Sequence, residues 1–126
     1  MTQATSPDVF VYGTLMPGHL RWHHIEPYVV ERWQDKVSGQ LYDTGRGYPG
    51  ARFEEAGHIP GWGLRLDEAR LEEALDLLDE IEGPHQYERV LVDTGVGRPA
   101  WSYRMLLETD GMERIAAWSR TAKDEG

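Results

Sequence analysis

The sequence contains no cysteine. That excludes disulfides, a thiolate nucleophile and a cysteine-held zinc site, and it leaves stability to the packing of an apolar core. Basic charge is also scarce: 13 Lys and Arg face 22 Asp and Glu, a formal net charge of -9. The few cations are scattered, so the chain lacks the clustered basic surface that binds a phosphate backbone, and nucleic acid is excluded as an expected partner. No run approaches the roughly 18 consecutive apolar residues of a membrane helix. Met1 to Asp8 lacks the charged start and apolar stretch of a secretory leader, so no membrane association and a cytoplasmic location are the expectations. Ser6, Ser38, Ser102 and Ser119 lack any nucleophile-elbow context, which argues against a serine hydrolase.

What is present suits one domain over residues 1–126, with a core over about 8–108 and a tail over about 111–126. Asp8 to Tyr12 is an apolar run ending at Gly13 and predicts a buried strand entering a tight turn. His19 to Glu26 predicts a brief helix before Pro27. Trp33 to Tyr42 predicts one strand, followed by a glycine-rich loop through Gly50. Ala51 to Glu54 and Ile59 to Leu66 predict two further strands turning at Gly57. Asp67 caps a helix with Leu71, Ala74, Leu75 and Leu78 on one face, ended by Gly83-Pro84. Tyr87 to Asp93 and Ala100 to Leu107 predict a hairpin. Met112 to Lys123 predicts a short terminal helix anchored by Ile115, Ala116 and Trp118. The pattern is α+β: a small mixed β-barrel with one main amphipathic helix packed outside.

One acid on that helix is out of place. At about 100° per residue, Glu73, Asp76 and Glu80 point away from the leucine stripe, and Glu72 and Asp79 flank it. Glu82 follows Leu78 by four residues and Leu75 by seven, so a helix that keeps its register carries its carboxylate onto the core-facing stripe. Partial burial and the negative end of the helix dipole both raise the proton affinity of such a group, the tuning a general acid-base catalyst needs. If the helix frays after Ile81, Glu82 instead turns to water. The turn Gly13-Thr14-Leu15 offers successive backbone N–H groups that suit an anion such as a carboxylate, with the Thr14 hydroxyl as a further donor. Many strands end in Gly-Thr for conformational reasons alone.

Together these segments resemble a known family. Val9-Phe10-Val11-Tyr12-Gly13-Thr14-Leu15 is similar to the opening motif of the gamma-glutamyl cyclotransferase-like (AIG2-like) family. Gly39-Gln40-Leu41-Tyr42 with Gly47-Tyr48-Pro49 resembles its second block, and Leu78-Asp79-Glu80-Ile81-Glu82-Gly83 with Tyr87 and Arg89 its catalytic block. The resemblance runs from about Val9 to Tyr103. It implies a mixed barrel in which Tyr12, Gly13, Thr14 and Leu15 hold a glutamyl carboxylate opposite Glu82, the acid-base catalyst. Tyr48, Pro49, Tyr87, Arg89 and Tyr103 are the further substrate-binding candidates. The implied reaction releases 5-oxoproline and a free amine from a γ-glutamyl-amine or related compound, without metal or organic cofactor. The implied partner is that small molecule, and the chain acts as a monomer or homodimer.

Departures from the pattern bear on substrate. Many relatives carry Asn near the position of Arg21, where this chain reads Arg21-Trp22-His23-His24; the segment is expected to border the pocket. Thr14 resembles the γ-glutamylamine branch more than the glutathione-specific branch. His19 and His23 are four apart, as on one helix face, but Leu20 stands where a zinc protease needs Glu, so no metal is expected. Tyr87 and Arg89 share one strand face, where Arg89 pairs either with a ligand or with a protein carboxylate. Two other readings remain at this point: a non-catalytic carboxylate-binding module of the same fold, and an interaction domain working through Glu72, Asp76 and Glu80.

Overall fold

The computed structural model describes residues 6–119. Within them the strands are β1 (Asp8–Val11), β2 (Val29–Ser38), β3 (Gln40–Asp43), β4 (Pro49–Arg52), β5 (His58–Leu66), β6 (Tyr87–Asp93), β7 (Pro99–Met105) and β8 (Glu113–Ile115). The helices are α1 (Trp22–Ile25) and α2 (Leu71–Glu82). The sheet runs β2-β5-β1-β7-β4-β3-β8, with β6 also on β7. Strand β7 is the hub: it pairs with β6 antiparallel along its length, with β1 in parallel at Trp101 and with β4 in parallel at Arg104. The far end of β6 curls back to β2 through the Val37–Thr94 bridge, and Gly95 N–H donates to the Lys36 carbonyl at 2.8 Å. The result is an α+β half-barrel of mixed strands with two helices.

All four residues of β1 are buried, as an uninterrupted apolar run requires when both faces of a strand are covered. Val9, Phe10, Ile59, Leu64, Leu66, Leu78 and Met105 make the centre of the core. Asp8 is the buried exception. Its carboxylate accepts from Arg65 Nε and, at 3.0 Å, from Arg98 Nε, so a charge that would be costly alone is compensated where β1 starts.

Helix α2 follows a 3-10 turn over Glu68–Arg70, whose first free N–H groups are served by Asp67: its carboxylate accepts from Ala69 N–H at 3.0 Å. Ala74, Leu75 and Leu78 are buried, and Glu72, Glu73, Asp76 and Glu80 are exposed, so the acidic face is the solvated one. The helical register holds through Glu82, where Gly83 N–H closes the last turn on the Asp79 carbonyl at 3.0 Å.

Three expectations are corrected. The single strand over Trp33 to Tyr42 is two, broken at Gly39; its φ of 143° is open to glycine, and a Cβ there would lie 2.9 Å from the Arg52 carbonyl oxygen. The brief helix over His19 to Glu26 is α-helical only from Trp22 to Ile25, and Pro27 sits in a 3-10 turn over Glu26–Tyr28. His19 therefore precedes α1, and the two histidines do not share a helix face. The terminal helix over Met112 to Lys123 is replaced by β8, since the open edge of β3 offers ladder partners: Ile115 pairs with Leu41, and Gln40 Nε2 donates to the Ile115 carbonyl at 3.3 Å. Ile115 is half-buried, Trp118 is buried and Ala116 is exposed, while residues 120–123 of that expected helix lie outside the described residues.

Candidate active site

Strand β1 delivers the chain into a turn in which Met16 N–H donates to the Gly13 carbonyl at 3.0 Å. The segment beyond it folds back, because Arg21 N–H donates to the Thr14 carbonyl at 2.7 Å. Gly13 is required by close approach: a Cβ would lie 2.7 Å from Pro49 Cγ. The Gly13–Pro49 contact thus sets β4 against the turn. Gly13→Ala is expected to push Pro49 away at a cost of about 1–3 kcal/mol, read from urea unfolding. The amides of Gly13, Thr14 and Leu15 make no hydrogen bond among the described residues, and the three residues are buried. Three successive unclaimed N–H groups form a concavity suited to an anion.

The turn and the end of α2 meet in a cavity of about 190 Å³, with Thr14 and Leu15 on one side and Ile81, Glu82 and Gly83 on another. The Glu82 residue keeps partial solvent access through the mouth, yet its carboxyl is closely surrounded by protein. That desolvation pushes its pKa from 4.5 up to about 7, and the Arg21 guanidinium pulls the other way. No hydrogen bond to the carboxylate occurs among the described residues, so the group is available to a ligand.

Four phenols frame the cavity, and each has spent its proton on the protein. Tyr12 donates to the Tyr103 carbonyl at 2.7 Å, Tyr87 to the Pro49 carbonyl at 2.7 Å, Tyr103 to Asp79 Oδ1 at 2.6 Å and Tyr48 to Gln86 Oε1 at 2.7 Å. Burial drives the Tyr12, Tyr87 and Tyr103 phenols well above their usual range, with the nearby Glu82 charge a smaller cause in each. They stay neutral, and as ligand groups they can only accept. Their common effect is to fix the walls, since each bond joins two different elements or loops.

Of the candidates read from the sequence, Tyr12, Gly13, Thr14, Leu15, Tyr48, Pro49, Glu82, Tyr87 and Tyr103 all line this one cavity. Arg89 does not. Its Nε lies 3.4 Å from Asp79 Oδ1, and its guanidinium sits 5.0 Å from the Trp101 ring centroid. Asp79 thereby ties the last turns of α2 to both β6 and β7. Gln86 and Ile81 were missed. Gln86 lies in the turn after the helix, where Gln86 N–H donates to the Gly83 carbonyl at 3.1 Å; the Gly83-Pro84 stop was its only sequence signal. Arg21 was noted for its departure from the usual Asn, and it is the only cation lining the cavity among the described residues.

A broader concavity of about 700 Å³ lies between Trp62 and Trp118. Its one carboxylate, Asp35, already accepts from Trp33 Nε1 at 3.0 Å and from Lys36 N–H at 2.8 Å, whereas the Glu82 carboxylate of the smaller cavity accepts no hydrogen bond among the described residues. Among the described residues no three His, Asp or Glu side chains are placed to hold a metal ion, and no helix is long and apolar enough to cross a membrane.

Comparison with known proteins bears on the family and the fold. The family described as "Gamma-glutamyl cyclotransferase, AIG2-like" matches residues 9–120. The chain is 33% identical over 78 residues to the gamma-L-glutamyl-butirosin B gamma-glutamyl cyclotransferase of Niallia circulans. That match covers 62% of this chain and 49% of the relative, so the chain spans about half the length of the curated protein it resembles. Among solved structures, the protein ytfP of Escherichia coli is 32% identical with a TM-score of 0.59, covering 87% of this chain and 92% of that one. An AIG2-like protein of Mus musculus shares the fold with a TM-score of 0.75 at 18% identity, covering 92% of this chain and 90% of its own.

Proposed function

Because the chain belongs to the AIG2-like gamma-glutamyl cyclotransferase family, we propose that it is itself a cyclotransferase that releases 5-oxoproline from a γ-glutamyl compound. The observation that carries this reading is the enclosure of Glu82, with its pKa raised to about 7, in the same cavity as the unclaimed Gly13–Leu15 amides. The name of the Niallia circulans relative supports the γ-glutamyl class of substrate.

The amides of Gly13, Thr14 and Leu15 hold the glutamyl α-carboxylate. Ionised Glu82 takes a proton from the neighbouring α-ammonium. The freed amine attacks its own γ-carbonyl carbon, forming the new C–N bond of a five-membered lactam. The old bond to the leaving amine breaks as Glu82 returns that proton to the departing nitrogen, and the second proton, shed by the attacking nitrogen as it becomes the lactam N–H, goes with the released amine as its ammonium. One carboxyl near neutral pKa serves both transfers, which is why its tuning matters. The attack is intramolecular, so fixing the γ-glutamyl chain in a folded conformation is the main task of the walls. The buried tyrosines, with their protons already committed, present a pre-set shape for it.

Incubation with a panel of γ-glutamyl-amines and γ-glutamyl-amino acids, followed by chromatography, is expected to show 5-oxoproline with at least one member. A ligand that raises the melting temperature while no 5-oxoproline forms from any member would instead make the chain a binding module of the same fold.

A further inference from the structure

We propose that Arg21 forms a subsite for the leaving group and selects γ-glutamyl compounds whose departing amine carries a carboxylate. This rests on the cyclotransferase reading above and names the substrate class within it. The cavity has a floor and a rim. Tyr12, Thr14, Leu15, Pro49, Tyr87 and Tyr103 are buried, whereas Arg21, Tyr48 and Gln86 are half-exposed. At about 190 Å³ the enclosed space falls below the roughly 300–1,000 Å³ of pockets that engulf larger ligands, so it suits the glutamyl part and leaves the remainder at the rim.

At that rim the Arg21 guanidinium lies 6.0 Å from the Tyr48 ring centroid, and Tyr48 is itself held by its bond to Gln86. Arg21 forms no ion pair within 4.0 Å among the described residues, unlike Arg52, Arg65, Arg70, Arg89, Arg98 and Arg104. Its backbone is fixed by the bond from its N–H to the Thr14 carbonyl, so the side chain is presented from an anchored point. A planar guanidinium matches a carboxylate in a two-point fork, and an unpaired one beside a reactive cavity is a ready recognition element. The global charge of -9 would repel an anionic substrate, and a single cation at the rim reverses that field where it counts. The glutamyl carboxylate has its own site on the backbone amides of the floor. Arg21 also acts on the Glu82 carboxylate at longer range, with no ion pair within 4.0 Å between them, so the anion that the guanidinium fork itself takes is the carboxylate of the leaving amino acid.

The test compares γ-glutamylalanine with γ-glutamylethylamine, which differ only by the leaving-group carboxylate. For the parent protein kcat/KM is expected to favour γ-glutamylalanine by roughly ten- to a hundredfold, the range of one charge-assisted pair. In Arg21→Gln the ratio of the two efficiencies falls to near one, and Arg21→Lys keeps part of the preference. Reading the ratio cancels any effect that Arg21 exerts through Glu82, because it touches both substrates alike. Equal turnover of both compounds by the parent, or an equal loss on both in Arg21→Gln with the ratio preserved, overturns the subsite and leaves the cyclotransferase reading standing. Absence of 5-oxoproline from the whole γ-glutamyl panel overturns both.

Discussion

Glu82→Gln is expected to lower kcat/KM for 5-oxoproline release by roughly 10²–10⁴-fold, the usual contribution of a positioned acid-base group. The amide keeps the size and shape of the carboxyl but neither takes the α-ammonium proton nor delivers one to the leaving nitrogen. Since the amides of Gly13, Thr14 and Leu15 that we propose hold the carboxylate are untouched, ligand affinity should hold, which a thermal shift with the least reactive γ-glutamyl compound would show. Parent-like turnover in Glu82→Gln would remove Glu82 from the chemistry. The same assay across pH gives a second reading of the parent. Its kcat/KM should rise as Glu82 loses its proton and level off above about pH 7, where the carboxylate is the dominant form.

The same variant should make the protein more stable, and the pH at which it does so follows from the sign of the shift. Glu82 binds its proton more tightly folded, with a pKa of about 7, than unfolded, near 4.5. Below about pH 4.5 both states are protonated and the residue does not distinguish them. Between the two values the folded state holds the extra proton, so rising pH removes stability, and above about pH 7 the loss is complete. Its size is at most about 3 kcal/mol, and partial access to solvent through the cavity mouth reduces it. Glutamine carries no charge to desolvate. The stability difference in favour of Glu82→Gln, measured by urea unfolding, should therefore be near zero at pH 4 and largest at pH 8. Taking the difference is essential, because Glu54 and Glu73, whose proton affinities are lowered chiefly by hydrogen bonds from Arg104 and Arg70, push the parent's own profile the opposite way at acid pH. A difference independent of pH would show that Glu82 is not the desolvated group described above.

The parts of the site that could be read from the sequence are those set by local periodicity. The leucine stripe of α2 and the position of Glu82 on it depend only on helical rotation, and the Gly13 turn only on a short apolar run meeting a glycine. Arg89 shows where periodicity stops. Its spacing from Tyr87 gives a shared face on β6, but which neighbour covers each position of that face is a tertiary fact: Tyr87 reaches the cavity, and Arg89 meets Asp79. The tail misled for a related reason. Of the three expected anchors Ile115 and Trp118 pack against the core and Ala116 does not, and a strand forms at Glu113–Ile115 because β3 has an edge to fill, which nothing local to the tail records. Arg21 and Gln86 reach the cavity through backbone turns closed by Thr14 and Gly83, contacts that side-chain patterning does not encode.

The bond from Tyr12 to the Tyr103 carbonyl joins residues 91 positions apart, and β7 is where three other strands converge. A growing chain emerging from the ribosome would have its acid and its anion-binding turn long before it had the wall that holds them in place. Competence for catalysis should therefore arrive in one step, when β7 docks, and a chain truncated before Pro99 should carry every reactive group and no activity.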